Sequence, residues 1–161
     1  MLVLLAIMAT FVATRMGSFF RGRALNSEAR RMLSLTHYAQ SRAVAEGVPV
    51  VLWLNPAAST YGLTVQASFN DPAGDTHAVQ YTLGPNLALE IPATPNPAGS
   101  EEEDERVGVA VDGLSVIRFT PDGFFDESSP SSVVIRQDAE GALELVQTAN
   151  RLGYEIRTHV N

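Results

Sequence analysis

Ser27–Leu52 reads SEARRMLSLTHYAQSRAVAEGVPVVL, and its periodicity changes partway along. Residues 24–46 contain no Pro and no Gly, and helix-favouring Ala, Leu, Met, Arg, Gln and Glu dominate them. Leu25, Ala29, Met32, Leu33, Thr36, Ala39, Gln40, Ala43 and Val44 recur at the 3, 4, 7 spacing of one helix face. Arg30, Arg31 and Arg42 mostly fall off that stripe. Gly47 followed by Pro49 is a stop signal. Beyond it Val48–Asn55 (VPVVLWLN) is apolar on both faces, which suits an interior strand. An amphipathic helix that runs directly into an interior strand points to an α+β chain, with a helix laid on a sheet.

Upstream of this stretch the apolar character spreads all round. Met1–Ala13 (MLVLLAIMATFVA) carries no charge and is led by Leu2, Val3, Leu4, Leu5, Ile7, Phe11 and Val12. At a membrane centre those side chains together supply roughly −2 to −4 kcal/mol. A full span needs about 20 residues. Arg15 interrupts the run, and Met16–Phe20 extends it. Gly17 and Gly22 are points where a helix would bend or loosen. A helix unbroken from residue 2 to 46 would be about 67 Å long at about 1.5 Å per residue, longer than a small domain. Its front half therefore belongs in lipid or a helical bundle, and its rear half on the body. A signal-peptide core or a buried helix competes with this reading. A signal peptide wants a basic start and a small-x-small cleavage site, and the run offers neither.

Downstream the period is 2. Tyr61, Leu63, Val65, Ala67 and Phe69 alternate with Gly62, Thr64, Gln66, Ser68 and Asn70, which predicts a half-buried strand after a hairpin loop at Asn55–Thr60. Val79, Tyr81 and Leu83 alternate next, then Leu87, Leu89 and Ile91. Val107–Val111 and Leu114–Phe119 flank Asp112-Gly113, a two-residue hairpin signal. Ser132–Gln137 and Ala142–Thr148 flank a turn at Asp138–Gly141, and Gly153–Val160 closes the chain. Tyr154, Ile156, Thr158 and Val160 share one face of that last strand; Glu155, Arg157 and His159 share the other. About nine short strands with frequent turns predict an antiparallel sheet or sandwich. Pro92–Arg106, low in apolar residues and rich in Pro and Glu, predicts an exposed loop.

Composition excludes several chemistries. The chain has 161 residues and a net charge of −7, so it is a poor general binder of nucleic acid or of an anionic membrane surface. Every one of its 11 cationic side chains is Arg, and Cys is absent. Without Lys there is no Walker-A lysine and no Schiff base. Without Cys there are no disulfides, no iron–sulfur clusters and no thiol nucleophile.

The catalytic and metal motifs fail as well. Gly113-Leu114-Ser115-Val116-Ile117 lacks the second Gly of a nucleophile elbow. His37, His77 and His159 have no metal-ligand spacing. Asp71–Asp75 and Asp122–Glu127 each hold part of a calcium-loop pattern, and read as polar turns. Glu101, Glu102, Glu103, Asp104 and Glu105 read as a solvated charge run. Trp53, Tyr61 and Tyr81 could line a site, but core packing is the default for strand aromatics. No cofactor, no metal and no small-molecule substrate is expected, and nothing argues for an enzyme.

The layout resembles the type IV pilin-like proteins, specifically the GspH/FimT family of minor pseudopilins. Met1–Val12 is similar to the middle of the pilin signature. Ser27–Leu52 is similar to the family's helix that passes straight into a strand, through Tyr38, Ala39, Ser41, Arg42, Ala43 and Gly47. Ile117-Arg118-Phe119-Thr120-Pro121-Asp122-Gly123 is similar to the family's I-x-F-x-P-x-G, with Phe119, Pro121 and Gly123 as its fixed members. Asn150–Arg157 is a loose match to the family's closing Gly-Arg pattern. The resemblance implies a structural subunit of a type II secretion or type IV pilus-like machine. Such a subunit is held in the inner membrane as a single-pass protein with its body in the periplasm, and then packs by its helix in a filament with other pilin-type subunits. The chain starts just after the place where the family has its cleavage Gly and the glutamate that follows it; an upstream start or a trimmed sequence would account for the missing basic leader, peptidase site and glutamate, whereas a genuine truncation would weaken processing and filament assembly. That basic leader would oppose Arg15, Arg21 and Arg23, which by the positive-inside rule alone would hold the body in the cytoplasm. In the family the glutamate is thought to neutralise a neighbour's terminal amine, a pairing that would set register in a dry bundle.

The chain thus divides into 1–23, the apolar membrane or filament-core half of the helix; 24–47, its amphipathic half; and 48–161, a β-rich body with the exposed loop 92–106. Two other readings stay open. One is a DNA-binding minor pilin using Arg136, Arg151 and Arg157 on phosphates, which the net charge opposes. The other is a secreted β-domain module behind a signal peptide.

Overall fold

The computed structural model describes residues 2–69, 74–92, 114–138 and 141–158, with the backbone alone described for residues 2–21. One helix, α1 (Leu2–Glu46), leads into β1 (Val50–Asn55), β2 (Thr60–Val65), a 3-10 turn at Gln66–Ser68, β3 (Val79–Thr82), β4 (Leu87–Glu90), β5 (Ser115–Phe119), β6 (Ser132–Gln137), β7 (Gly141–Gln147) and β8 (Tyr154–Thr158). α1 continues through Gly17 and Gly22 as one helix, so the loosening expected there does not break it. Among the helix residues whose side chains are described, the first buried in the core is Leu25.

The strands form two four-stranded antiparallel sheets, in the orders β3-β2-β1-β5 and β4-β6-β7-β8. β1 is an interior strand, as its apolar run predicts: Leu52 sits opposite Leu63 on one side and Ile117 on the other. The rear half of α1 and the inner faces of both sheets share one core. Leu25, Ala29, Met32, Leu35, Ala39 and Ala43 come from the helix; Leu52, Leu54 and Leu63 from the first sheet; Val133, Ile135 and Leu145 from the second. Burial of such side chains, at about 25 cal/mol per Å² of apolar surface, holds the layers together. The α+β expectation of a helix on an antiparallel sandwich is therefore met.

Local details differ from the sequence reading. The strand expected to run to Phe69 ends at Val65, because the chain turns into Gln66–Ser68. β2 does not alternate: Tyr61, Gly62, Leu63 and Thr64 are all buried. On the helix, Leu33 is half-buried and Val44 is 54% exposed, while Leu35 is buried in their place. Arg42, placed off the stripe by its charge, is buried. Val107–Val111, the Asp112-Gly113 turn, residues 93–106 with their acidic run, and His159 and Val160 lie outside the described residues. Among the described residues, no helix is long and apolar enough to cross a membrane.

Candidate functional site

Three polar connections tie the rear half of α1 to the body. Nearest its front, Glu28 is buried and accepts a hydrogen bond from the Tyr61 hydroxyl at 2.5 Å. Arg31, one turn on, pairs with Glu28 at 3.1 Å and lies over the Tyr81 ring, 5.3 Å from its centroid. Tyr81 in turn stacks on Tyr61, with ring centroids 5.7 Å apart. Burial, with the carboxylate alongside, pushes the Tyr61 phenol far above its ordinary range, so it stays protonated and donates. Glu28 beside Arg31 raises the guanidinium's already high value. The aromatics therefore serve the core and the helix dock.

At the rear, Arg42 donates to both oxygens of Asp75, at 2.7 and 3.0 Å, and to Glu46 at 2.8 Å. Asp75 also accepts from the backbone N–H of Val65 at 2.8 Å and of His77 at 2.9 Å, and from the Thr64 hydroxyl at 3.2 Å. Both members of the pair are buried, and their remaining polar capacity is met by backbone and side chains. The Arg42 guanidinium holds the Asp75 carboxyl well below the usual range, and Asp75 holds Arg42 above its own. Half of the partial calcium loop at Asp71–Asp75 is thus committed to an ion pair within the fold.

The third connection is made by the motif turn. Phe119 is fully buried at the end of β5 and bridges to Phe125, which packs on Tyr154 at 5.5 Å between ring centroids. Thr120, Pro121, Asp122 and Gly123 form a turn closed by the Gly123 N–H donating to the Thr120 carbonyl at 2.9 Å. Pro121 supplies the fixed φ of its second position. Gly123 has φ +86°, a left-handed value that L side chains rarely adopt, and a Cβ there would meet Val44 at 3.4 Å. The Thr120 hydroxyl bonds Asp122 and holds that carboxyl below its usual range. Gln40 then donates from Nε2 to two carbonyls, Gly123 at 2.6 Å and Leu152 at 2.9 Å. One side chain so pins the helix, the β5–β6 turn and the β7–β8 turn together. Around it Val44, Phe124 and Leu152 are 54%, 46% and 46% exposed.

The arginines named for phosphate contact do not converge. Arg136 on β6 pairs with Glu90 of β4 at 2.9 Å, Arg151 in the β7–β8 turn pairs with Glu127 at 3.1 Å, and Arg157 on β8 pairs with Glu155. Arg136 and Arg157 share the outer face of the second sheet with Glu90, Glu144 and Glu155, so those five groups sum to −1. His37 on α1 and His77 before β3 are both exposed. Among the described residues no group of His, Cys, Asp and Glu is placed to hold a metal ion.

Sequence reading missed Glu28, Arg42, Asp75 and the pinning role of Gln40. A signal existed for two of them: Glu28 and Arg42 are separated by about four helical turns. They therefore lie on the same stripe as Ala29, Met32 and Ala43.

The fold has known parallels. The minor pseudopilin EpsH from the type 2 secretion system of Vibrio cholerae aligns with 84% of this chain and 96% of its own, at 13% identity and a TM-score of 0.52. The type IV minor pilin FimU of Pseudomonas aeruginosa aligns with 88% of this chain and 92% of its own, at 15% identity and a TM-score of 0.57. No curated protein matches the chain by sequence. The family model of the type II transport protein GspH matches residues 28–153. That span begins at the buried Glu28, takes in both polar locks and the 119–123 turn, and covers most of the sequence: the chain belongs to the GspH family of type II transport proteins.

Proposed function

We propose that this chain is a minor pseudopilin that is held in the inner membrane by residues 1–23, with its body in the periplasm, and is then transferred into a filament. Its work is structural and not enzymatic, and its partners are other pilin-type subunits. The observation that carries the reading is the extent of α1. α1 starts at Leu2, and its residues from Leu2 to Ala24, about 35 Å at about 1.5 Å per residue, come before Leu25, the first buried helix residue among those whose side chains are described. Leu2, Val3, Leu4, Leu5, Ile7, Phe11 and Val12 are the groups that would lie in lipid and later in the filament core. Exchanging lipid for neighbouring apolar helices is not opposed by a large hydrophobic cost. Residues 24–47 dock on the body, and 48–161 present the lateral surfaces.

The test is fractionation of the full chain, with its upstream coding residues, in a host that carries a type II secretion machine. The chain should resist carbonate extraction from inner membranes and appear in the sheared filament fraction. Deleting 1–23 should remove the chain from the inner-membrane fraction. A full chain found wholly in a soluble fraction overturns the reading.

A further inference from the structure

We propose that the front end of the body rests on the periplasmic leaflet of the membrane, with Arg23 and Arg30 of α1 on the phosphates of anionic phospholipid headgroups. The inference rests on the pseudopilin reading and adds to it a contact surface on the described part of the chain and the chemistry that surface takes.

Charge is unevenly divided along the chain. Six arginines against two glutamates give residues 1–47 a net +4, which leaves −11 on residues 48–161. The overall −7 therefore sets the body against an anionic surface, but not the helix. Between residues 22 and 41 every exposed residue of α1 is neutral or basic. The one carboxylate in that stretch, Glu28, is buried and already bonded to Tyr61 and Arg31. Arg23, Ser27 and Arg30 are all exposed and follow one another at four- and three-residue steps, so two guanidinium groups share one outward face with a small hydroxyl between them. Arg30 enters no ion pair among the described residues.

The body places a suitable base beside them. β2 runs along α1 in the same direction: Tyr61 meets Glu28, while Thr64 and Val65 meet Asp75, the partner of Arg42. The connections before β2 and after β3 therefore lie at the front end, joined by the Leu83 N–H donating to the Ser59 carbonyl at 2.9 Å. The β6–β7 turn lies there too, with Leu25 Cδ2 3.9 Å from where a Gly141 Cβ would stand. Residues 56–59 read Pro-Ala-Ala-Ser and residues 83–86 read Leu-Gly-Pro-Asn, both without charge; Asp138 opens the third connection. The turn that carries Asp122, Asp126 and Glu127 is at the other end, beside Gln40 and Val44. A nearly uncharged base around a cationic helix face suits an anionic headgroup layer, and the acidic end does not.

Depth agrees. The apolar sequence ends at Phe20, and α1 continues past it without a break. At about 1.5 Å per residue, Arg23 stands about 4.5 Å beyond Phe20 and Arg30 about 15 Å. A headgroup layer is about 5–7 Å deep. Helix side chains lean toward the N-terminus, so Arg23 lies within that layer and Arg30 reaches back about one turn toward its outer rim. Each guanidinium can take two phosphate oxygens through parallel N–H bonds.

The chain has no Cys, so Ala58→Cys puts a single fluorophore on the base. The full chain labelled there is reconstituted into vesicles of phosphatidylcholine alone, or of an equimolar mixture with phosphatidylglycerol, each doped with a lipid spin-labelled at its headgroup. Quenching should be stronger in the mixed vesicles and should fall as salt is raised. The contact should weaken about five-fold for each arginine removed, so Arg23→Gln with Arg30→Gln should bring quenching down to the phosphatidylcholine level. A label at Leu152→Cys, at the acidic end, should stay unquenched in both vesicles. Unchanged Trp53 emission in the double variant shows that the body is still folded. Equal quenching in the two vesicles, or quenching indifferent to both arginines, overturns the headgroup contact alone. A full chain that floats with neither kind of vesicle overturns the membrane reading beneath it.

Discussion

Arg42 and Asp75 face one another as a two-bond pair at 2.7 and 3.0 Å, 33 residues apart in sequence and buried on both sides. The pair joins the last turn of α1 to the segment before β3. Because Asp75 also accepts backbone N–H groups of Val65 and His77, the same carboxylate fixes the end of β2. Helix and first sheet are therefore tied at one point.

Replacing Arg42 by Ala leaves Asp75 buried without its counter-charge. The expected loss is about 3–5 kcal/mol of unfolding free energy, since one partner of a buried pair is stranded. Arg42→Lys should recover only part of it, because an ammonium cannot form the same fork with the carboxylate. Urea unfolding of the three proteins in detergent checks the order.

Acid should act through the same pair. Arg42 holds the folded Asp75 carboxyl below the unfolded value of about 3.9. On acidification the unfolded chain takes up that proton first. The stabilisation from Asp75 is thus complete above about pH 5, falls as pH drops below the unfolded value, and is gone once pH has passed through the lower folded one. Thermal unfolding followed from pH 6 to pH 2 should show this loss, and Asp75→Asn should flatten that limb. A limb of unchanged steepness in the variant would contradict it.

Gly62 leaves no room for a side chain. A Cβ would stand 2.4 Å from the Trp53 ring and 2.4 Å from the Val79 carbonyl oxygen. Trp53 and Gly62 are direct cross-strand partners, so the ring lies over the glycine. Gly62→Ala should cost about 1–3 kcal/mol through overpacking against backbone. Trp53 is the sole tryptophan, so its emission spectrum reports the displaced ring directly.

Gly123→Ala should destabilise by about 1–2 kcal/mol, from the left-handed backbone it requires. Gln40→Ala should cost about 0.5–1.5 kcal/mol and loosen the turns on either side. Hydrogen exchange at the Gly123 and Leu152 amides should rise in Gln40→Ala while exchange in β1 stays as in the parent.

Much of the architecture was legible because it follows from periodicity. The stop at Gly47 and the two-faced apolar run at Val48–Asn55 mark the helix-to-interior-strand transition. Alternation failed where a different backbone carries the same pattern: Ala67 and Phe69 continue the period of 2, yet Gln66–Ser68 is a 3-10 turn. Val44 and Leu35 exchanged places because the stripe's width is set by what packs against it, which residue type alone does not show. Arg42 was read as falling off the apolar stripe, yet it is buried; its partner Asp75 lies too far along the chain for local spacing to reveal it. The Phe119-Pro121-Gly123 pattern was visible only by resemblance. Its physical content, a turn that offers a carbonyl to Gln40, needed three dimensions.

The unbroken course of α1 has a mechanical consequence. Its front end and its ion pair at Arg42 stand towards opposite ends of one strut. A tug applied at the tip travels down the axial hydrogen bonds and reaches the head as shear spread along the dock from Leu25 to Ala43, in which the ion pair is one contact among several. A head fastened this way is hard to peel from its shaft, because no single contact bears the load first.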